Sequence, residues 1–180
     1  MAESIRDQDL RKWVPLAEEC LRQEESALYT STALFIWLRE ARRWNQFFII
    51  TPVLLGAAAG ITFFQDPQYA GAASLLAILT GLFPAVREAL RLDIHLDQIK
   101  SLAAEFKGLQ DAFRQVARIT APENLTEANR RLVSLMEDLA RARSHSVTIP
   151  ERIFKKAQEK VASGDYDFSV DPKRAGADDK

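Results

Sequence analysis

Between Arg43 and Arg87 the chain carries a single charged residue, Asp66. The uncharged runs on either side of it hold 22 and 20 residues. Each is about the length at which a helix, rising about 1.5 Å per residue, crosses a hydrocarbon core of about 30 Å. A pair of transmembrane helices over 44–86 is the arrangement this pattern predicts. The rest of the chain has to be compatible with it.

The averages conceal this. Over 180 residues, 47% hydrophobic and 27% charged side chains describe an ordinary soluble domain. The charges are missing from the middle and crowded towards both ends, so two solvents act on different parts of one chain. A net charge of -1 supplies no broad basic face, and no direct nucleic-acid partner is expected. The one cysteine, Cys20, has no partner for an intrachain disulfide and reads as a reduced, semi-buried thiol. The apolar run follows more than forty mixed residues, so it does not read as a cleaved secretory signal.

Before the apolar run, residues 1–8 are polar and read as frayed. Trp13, Ala17, Leu21, Leu28, Phe35 and Leu38 then recur at helical spacing opposite Glu18, Glu19, Arg22, Glu24 and Glu25. One or two amphipathic helices are expected, with a break near Ser26 to Thr32. Trp37, Arg39, Arg42, Arg43 and Trp44 form the aromatic and basic collar of a membrane–water interface, continued beyond the run by Arg87 and Arg91. The turn around Asp66 and Pro67 has no Lys or Arg. The positive-inside rule therefore puts both termini in the cytoplasm.

The first span, Phe47 to Phe64, has aromatics at both ends and Pro52 about one turn in, where it can kink or start the helix. Gly56 and Gly60, with Gly71, Ser74 and Gly81 in the second span, are the small residues that allow close helix approach. At about 100° per residue, Thr51 and Thr62 lie on the far side of the first span from Gly56 and Gly60. They are candidates to face a polar lumen, with simple bonding to their own i-4 carbonyls the competing reading.

After Arg87, the residues Leu92, His95, Ile99, Leu102, Phe106, Leu109, Phe113 and Val116 step by alternating threes and fours. Thr120 to Asn124, with Pro122, breaks the pattern. Leu125, Ala128, Leu132, Leu135, Leu139 and Ala142 then repeat it. Two short heptad helices joined this way predict an antiparallel coiled-coil hairpin, packed with the N-terminal helix into a cytoplasmic bundle. Pro150 opens a short basic helix over 151–162 with Ile153, Phe154, Ala157 and Val161 on one face, and Gly164 can end it. The division expected is 1–43, N-terminal amphipathic helices; 44–86, transmembrane hairpin; 87–163, helical hairpin and basic helix; 164–180, flexible tail. The fold class is all-α.

No chemistry stands out. Asp93, His95 and Asp97 would share a face only on a strand, and the heptad requires a helix, so metal binding is not expected. His95 takes a core position, where a buried polar residue can fix pairing. Cys20, His95 and His145 lie in separate segments, and no glycine loop cradles a phosphate. Neither enzymatic activity nor a cofactor is expected. Lys155, Lys156 and Lys160 read as a solvated face, with a partner or anionic lipid as the alternative.

The N-terminal helix running into WLREARRWNQFF, two closely spaced spans, RLDIHLDQIKSLAAEFKGLQDAF and a further helix together resemble the SLATT family of two-transmembrane effector domains. The likeness is one of layout and covers most of residues 10 to 160. It implies an effector of a prokaryotic antiphage or conflict system in the bacterial inner membrane. Such an effector is thought to oligomerise and breach the membrane when a partner sensor or nucleotidyltransferase signals. The residues alone leave a second reading, a membrane-anchored scaffold whose cytoplasmic helices recruit a partner, and a third, a soluble protein with 44–86 in its core.

Overall fold

A computed structural model describes the backbone of residues 2–65, 70–89 and 92–165, and the side chains of 13–61, 71, 72, 74–89 and 95–165. The described residues are all-helical, with no strand among them. They form α1 (Ala2–Gln65), α2 (Ala70–Ala89), α3 (Leu92–Gln115), a π-helical turn (Val116–Thr120), α4 (Ala121–Glu123), α5 (Leu125–Ser144) and α6 (Glu151–Ala162). The chain divides into two compact units, residues 1–37 with 99–180, and residues 38–98.

The longest element corrects three expectations. α1 starts at Ala2 rather than after a frayed polar segment, and it runs unbroken through Ser26–Thr32 and through Pro52. The hydroxyls that suggested a break bond inside the helix: Thr30 Oγ1 donates to the Ser26 carbonyl at 2.9 Å and Ser31 Oγ to the Leu28 carbonyl at 3.1 Å. Ser31 and Thr32 can thus be buried without an unsatisfied donor. Pro52 costs one backbone hydrogen bond but does not begin the helix.

In the first unit, heptad positions Ile99, Leu102, Phe106, Leu109, Phe113 and Val116 are all buried, with Leu28, Leu34, Cys20 and Leu139 among the other fully enclosed side chains. Burying one such large apolar side chain is worth about 1.5–3 kcal/mol, so this seam holds the unit together. His95 departs from the pattern, being exposed and belonging to the other unit. The buried register begins one turn later, at Ile99, which spares the imidazole the cost of desolvation.

The expected break at Thr120 to Asn124 narrows to one residue. The π turn carries the chain past Val116, giving room ahead of Pro122, whose ring would meet the preceding turn of a regular α-helix. Asn124 alone is extended, with φ -149° and ψ 97°. Its side-chain oxygen accepts the Glu127 amide at 3.0 Å, capping α5. At the other end of the unit, Pro150 precedes α6, and Gly164 follows it with φ 80°, a left-handed conformation that costs glycine nothing. Ile153 and Ala157 of α6 are completely buried in a cluster with Ala33 and Ile36 of α1, flanked by Trp37 and Ile149. Phe154, expected on that face, is exposed instead.

A polar layer crosses this core. Gln110 of α3 donates to Glu24 of α1 over a long 3.5 Å and accepts from Lys107 at 3.0 Å. Arg143 of α5 donates to Ser26 Oγ at 3.3 Å and to Gln23 Oε1 at 3.5 Å. Gln23, Glu24 and Gln110 are all buried, so these bonds tie α1 to both α3 and α5 at defined levels.

Candidate functional site

The second unit is built from the later part of α1 and from α2. Their contacts follow one order: Asn45 with Arg87, Phe47 and Phe48 with Phe83, and Gly56 opposite Thr80. The side chains turned inward on α1 are Asn45, Phe48, Pro52, Leu55 and Ala59, and on α2 Leu76, Thr80, Phe83 and Arg87. Both sets step by threes and fours, so ordinary heptad packing brings the helices together. At one end Arg87 Nε donates to Asn45 Oδ1 at 2.9 Å, while Thr80 Oγ1 turns back onto the Leu76 carbonyl at 2.8 Å.

What lies outside that seam is the candidate site. Among the described residues, twelve of the eighteen exposed large apolar side chains fall between Trp44 and Val86. Val53 is 69%, Ile78 64% and Trp44 61% exposed. Phe47, Ile49, Ile50, Leu54 and Ile61 cover the rest of α1, and Leu75, Leu79 and Leu82 the rest of α2. Soluble monomers rarely expose an apolar patch above a few hundred Å², and these side chains form one without a charge between Trp44 and Gln65 or between Ala70 and Val86. One helix, over Trp13–Ile61, is long and apolar enough to cross a membrane. Only 11% of its most apolar stretch is buried, whereas the core helix of a soluble protein would be mostly enclosed.

The residues singled out from sequence divide accordingly. A Cβ at Gly56 would sit 3.8 Å from Thr80 Cγ2, an ordinary contact, so Gly56 flanks the seam within one chain. Gly60, Gly71 and Gly81 have nothing within 4 Å of that position, and Ser74 is exposed. Thr51 is half-buried beside the seam. The side chain of Thr62, the turn at 66–69, Arg91 and the tail from residue 166 lie outside the described residues. Arg39, Arg42 and Arg43 are exposed, and Trp44 stands edge-on to Phe47 with centroids 6.0 Å apart. Trp37 packs against the Ile36 and Ile153 cluster, which ties it to protein rather than to the collar. The seam itself escaped notice because attention went to glycines. Its signal, Asn45-Phe48-Pro52-Leu55-Ala59, was a heptad hidden among equally apolar neighbours.

No group of three or more metal-ligating side chains occurs among the described residues. Cys20 is completely buried, and desolvation, reinforced by the neighbouring Glu19 charge, pushes its thiol up to about 11. It holds almost no thiolate at neutral pH. The chain matches no protein-family model, no curated protein and no solved structure.

Proposed function

We propose that this chain is a two-span effector of a bacterial inner membrane, with both termini in the cytoplasm. In this reading α1 and α2 form a transmembrane hairpin, and the first unit is a cytoplasmic helical bundle. The carrying observation is the charge-free apolar surface from Trp44 to Val86, which lipid can cover and water cannot without cost. The collar of Arg39, Arg42 and Arg43, and the absence of any Lys or Arg between the spans, set the orientation. Likeness in layout to the SLATT family supports the effector role, in which a partner sensor or nucleotidyltransferase signals and copies of the chain assemble to breach the membrane. Gly60, Gly71 and Gly81, open within one copy, are the places where a second copy can approach closely.

Reconstitution at rising protein-to-lipid ratio tests the pore. Assembly driven by mass action should release a dye trapped in liposomes. Intact vesicles carrying inserted, oligomeric protein would refute it.

One observation favours a scaffold instead: the outward side chains of both helices, Val53, Leu54, Ile78 and Leu82, need nothing but lipid to cover them. Exchanging 44–86 for an unrelated hairpin separates the readings. Activity survives the exchange in a scaffold and is lost in a pore.

A further inference from the structure

Helix α6 has two chemically distinct sides. Ile153, Ala157 and Val161 are buried, the first two against Ala33 and Ile36 of α1. Opposite them Arg152, Lys155 and Lys156 are exposed, with Phe154 standing out at the edge. Counting Lys160, the helix carries four basic residues against Glu151 and Glu159, in a chain whose net charge is -1. Lys155 pairs with Glu151 at 2.8 Å and Lys160 with Asp165 at 3.1 Å. Solvent-exposed pairs of this kind hold their partners weakly and exchange them readily.

The place where α6 is fastened matters as much as its charge. Measured along α1 alone, Ile36 precedes Trp44, the first residue of the charge-free run, by eight residues, a rise of about 12 Å that any tilt only shortens. Headgroups occupy about 5–8 Å beyond each face of the hydrocarbon, and an anionic surface acts over a further Debye length of about 8 Å. α6 is therefore held inside the field of the leaflet that α1 enters, with long basic side chains able to reach lipid phosphates while their stems stay on apolar surface.

We infer that the outer face of α6, Arg152, Lys155 and Lys156 with Phe154 at its edge, is a docking surface for anionic phospholipid headgroups of the membrane that holds the chain. This rests on the membrane reading above. It gives the bundle a contact that senses lipid charge, separate from the apolar surface of the spans.

The test uses the full chain with an environment-sensitive dye on Gln158→Cys. Residue 158 is exposed on α6, and buried Cys20 stays unlabelled. The protein is placed in nanodiscs of phosphatidylcholine alone, or of phosphatidylcholine and phosphatidylglycerol in equal parts. With phosphatidylglycerol the emission should shift to the blue and the dye should become shielded from an aqueous quencher, and high salt should reverse both. Each basic residue near such a surface is worth about a fivefold change in partition, so Arg152→Gln/Lys155→Gln/Lys156→Gln should abolish the shift without loss of helicity. Equal emission in the two lipids, with the chain co-purifying with the discs, overturns the inference and leaves the membrane reading standing. A chain that does not enter the discs overturns both.

Discussion

The two units of this protein use the same packing device under different solvents. In the first, Ile99, Leu102, Phe106, Leu109, Phe113 and Val116 make a buried seam stepping by threes and fours. In the second, Asn45, Phe48, Pro52, Leu55 and Ala59 step in the same way. The flanks differ. Around the first seam they carry ion pairs, Lys107 with Asp111 and Glu127 with Arg130 and Arg131. Around the second they carry Ile50, Val53, Leu54, Ile78 and Leu82. The seam tells how helices meet, and the outer face tells what surrounds them.

The contrast breaks most visibly at its centres. Phe113→Ala in the first unit should cost about 3–5 kcal/mol by denaturant unfolding, since the ring is completely buried and leaves a cavity. Truncating Ile78, nearly two-thirds exposed, should change stability little. Equal losses at the two positions would erase the distinction between core and outer surface.

A charge sharpens the same comparison from the other side. Ile78→Lys should weaken insertion by about 3 kcal/mol, read as chain lost from the membrane fraction. A lysine at exposed Ser101 of α3, already among charged neighbours, should leave both fractionation and stability unchanged. Smaller effects map the water-facing unit alone. Asn124→Ala removes the side-chain cap on α5 and should cost about 1 kcal/mol, seen as a lower melting temperature.

The smallest effect depends on pH. Hydrogen bonds from Arg22, then Gln23, hold the Glu19 carboxyl below its ordinary 4.5. Its contribution is fully present above that value and fades as pH falls through the lower folded-state value. The melting-temperature gap between the native chain and Glu19→Gln should therefore be widest near neutrality and close in acid. Glu19 and Arg22 are partly to fully solvated, so the gap is small, and one that ignores pH would contradict the assignment.

Much of this fold was legible where polar and apolar residues alternate with a clear period. Ile99 to Val116, Leu125 to Ala142 and the limits of α6, with Pro150 before it and Gly164 after, all follow from spacing and end signals. Legibility failed where the pattern had no contrast. In the apolar run every position looks suited to packing, so the glycines drew attention while Phe48, Leu55 and Ala59 formed the inner face. It failed also at Ser26–Thr32, where hydroxyls that normally favour helix ends instead bonded back within a continuous helix. His95 fitted the heptad by spacing alone, and nothing in the sequence marked Ile99 as the first buried step. The polar layer of Gln23, Glu24, Gln110 and Arg143 joins residues far apart in the chain, which periodicity cannot reveal.

The central claim is that lipid covers the surface between Trp44 and Val86. Fractionation of cells making the full chain, with an alkaline carbonate wash and no detergent, tests it most directly. The protein should stay in the washed membrane pellet and enter solution only with detergent. Recovery as dispersed protein in the detergent-free supernatant would contradict the account.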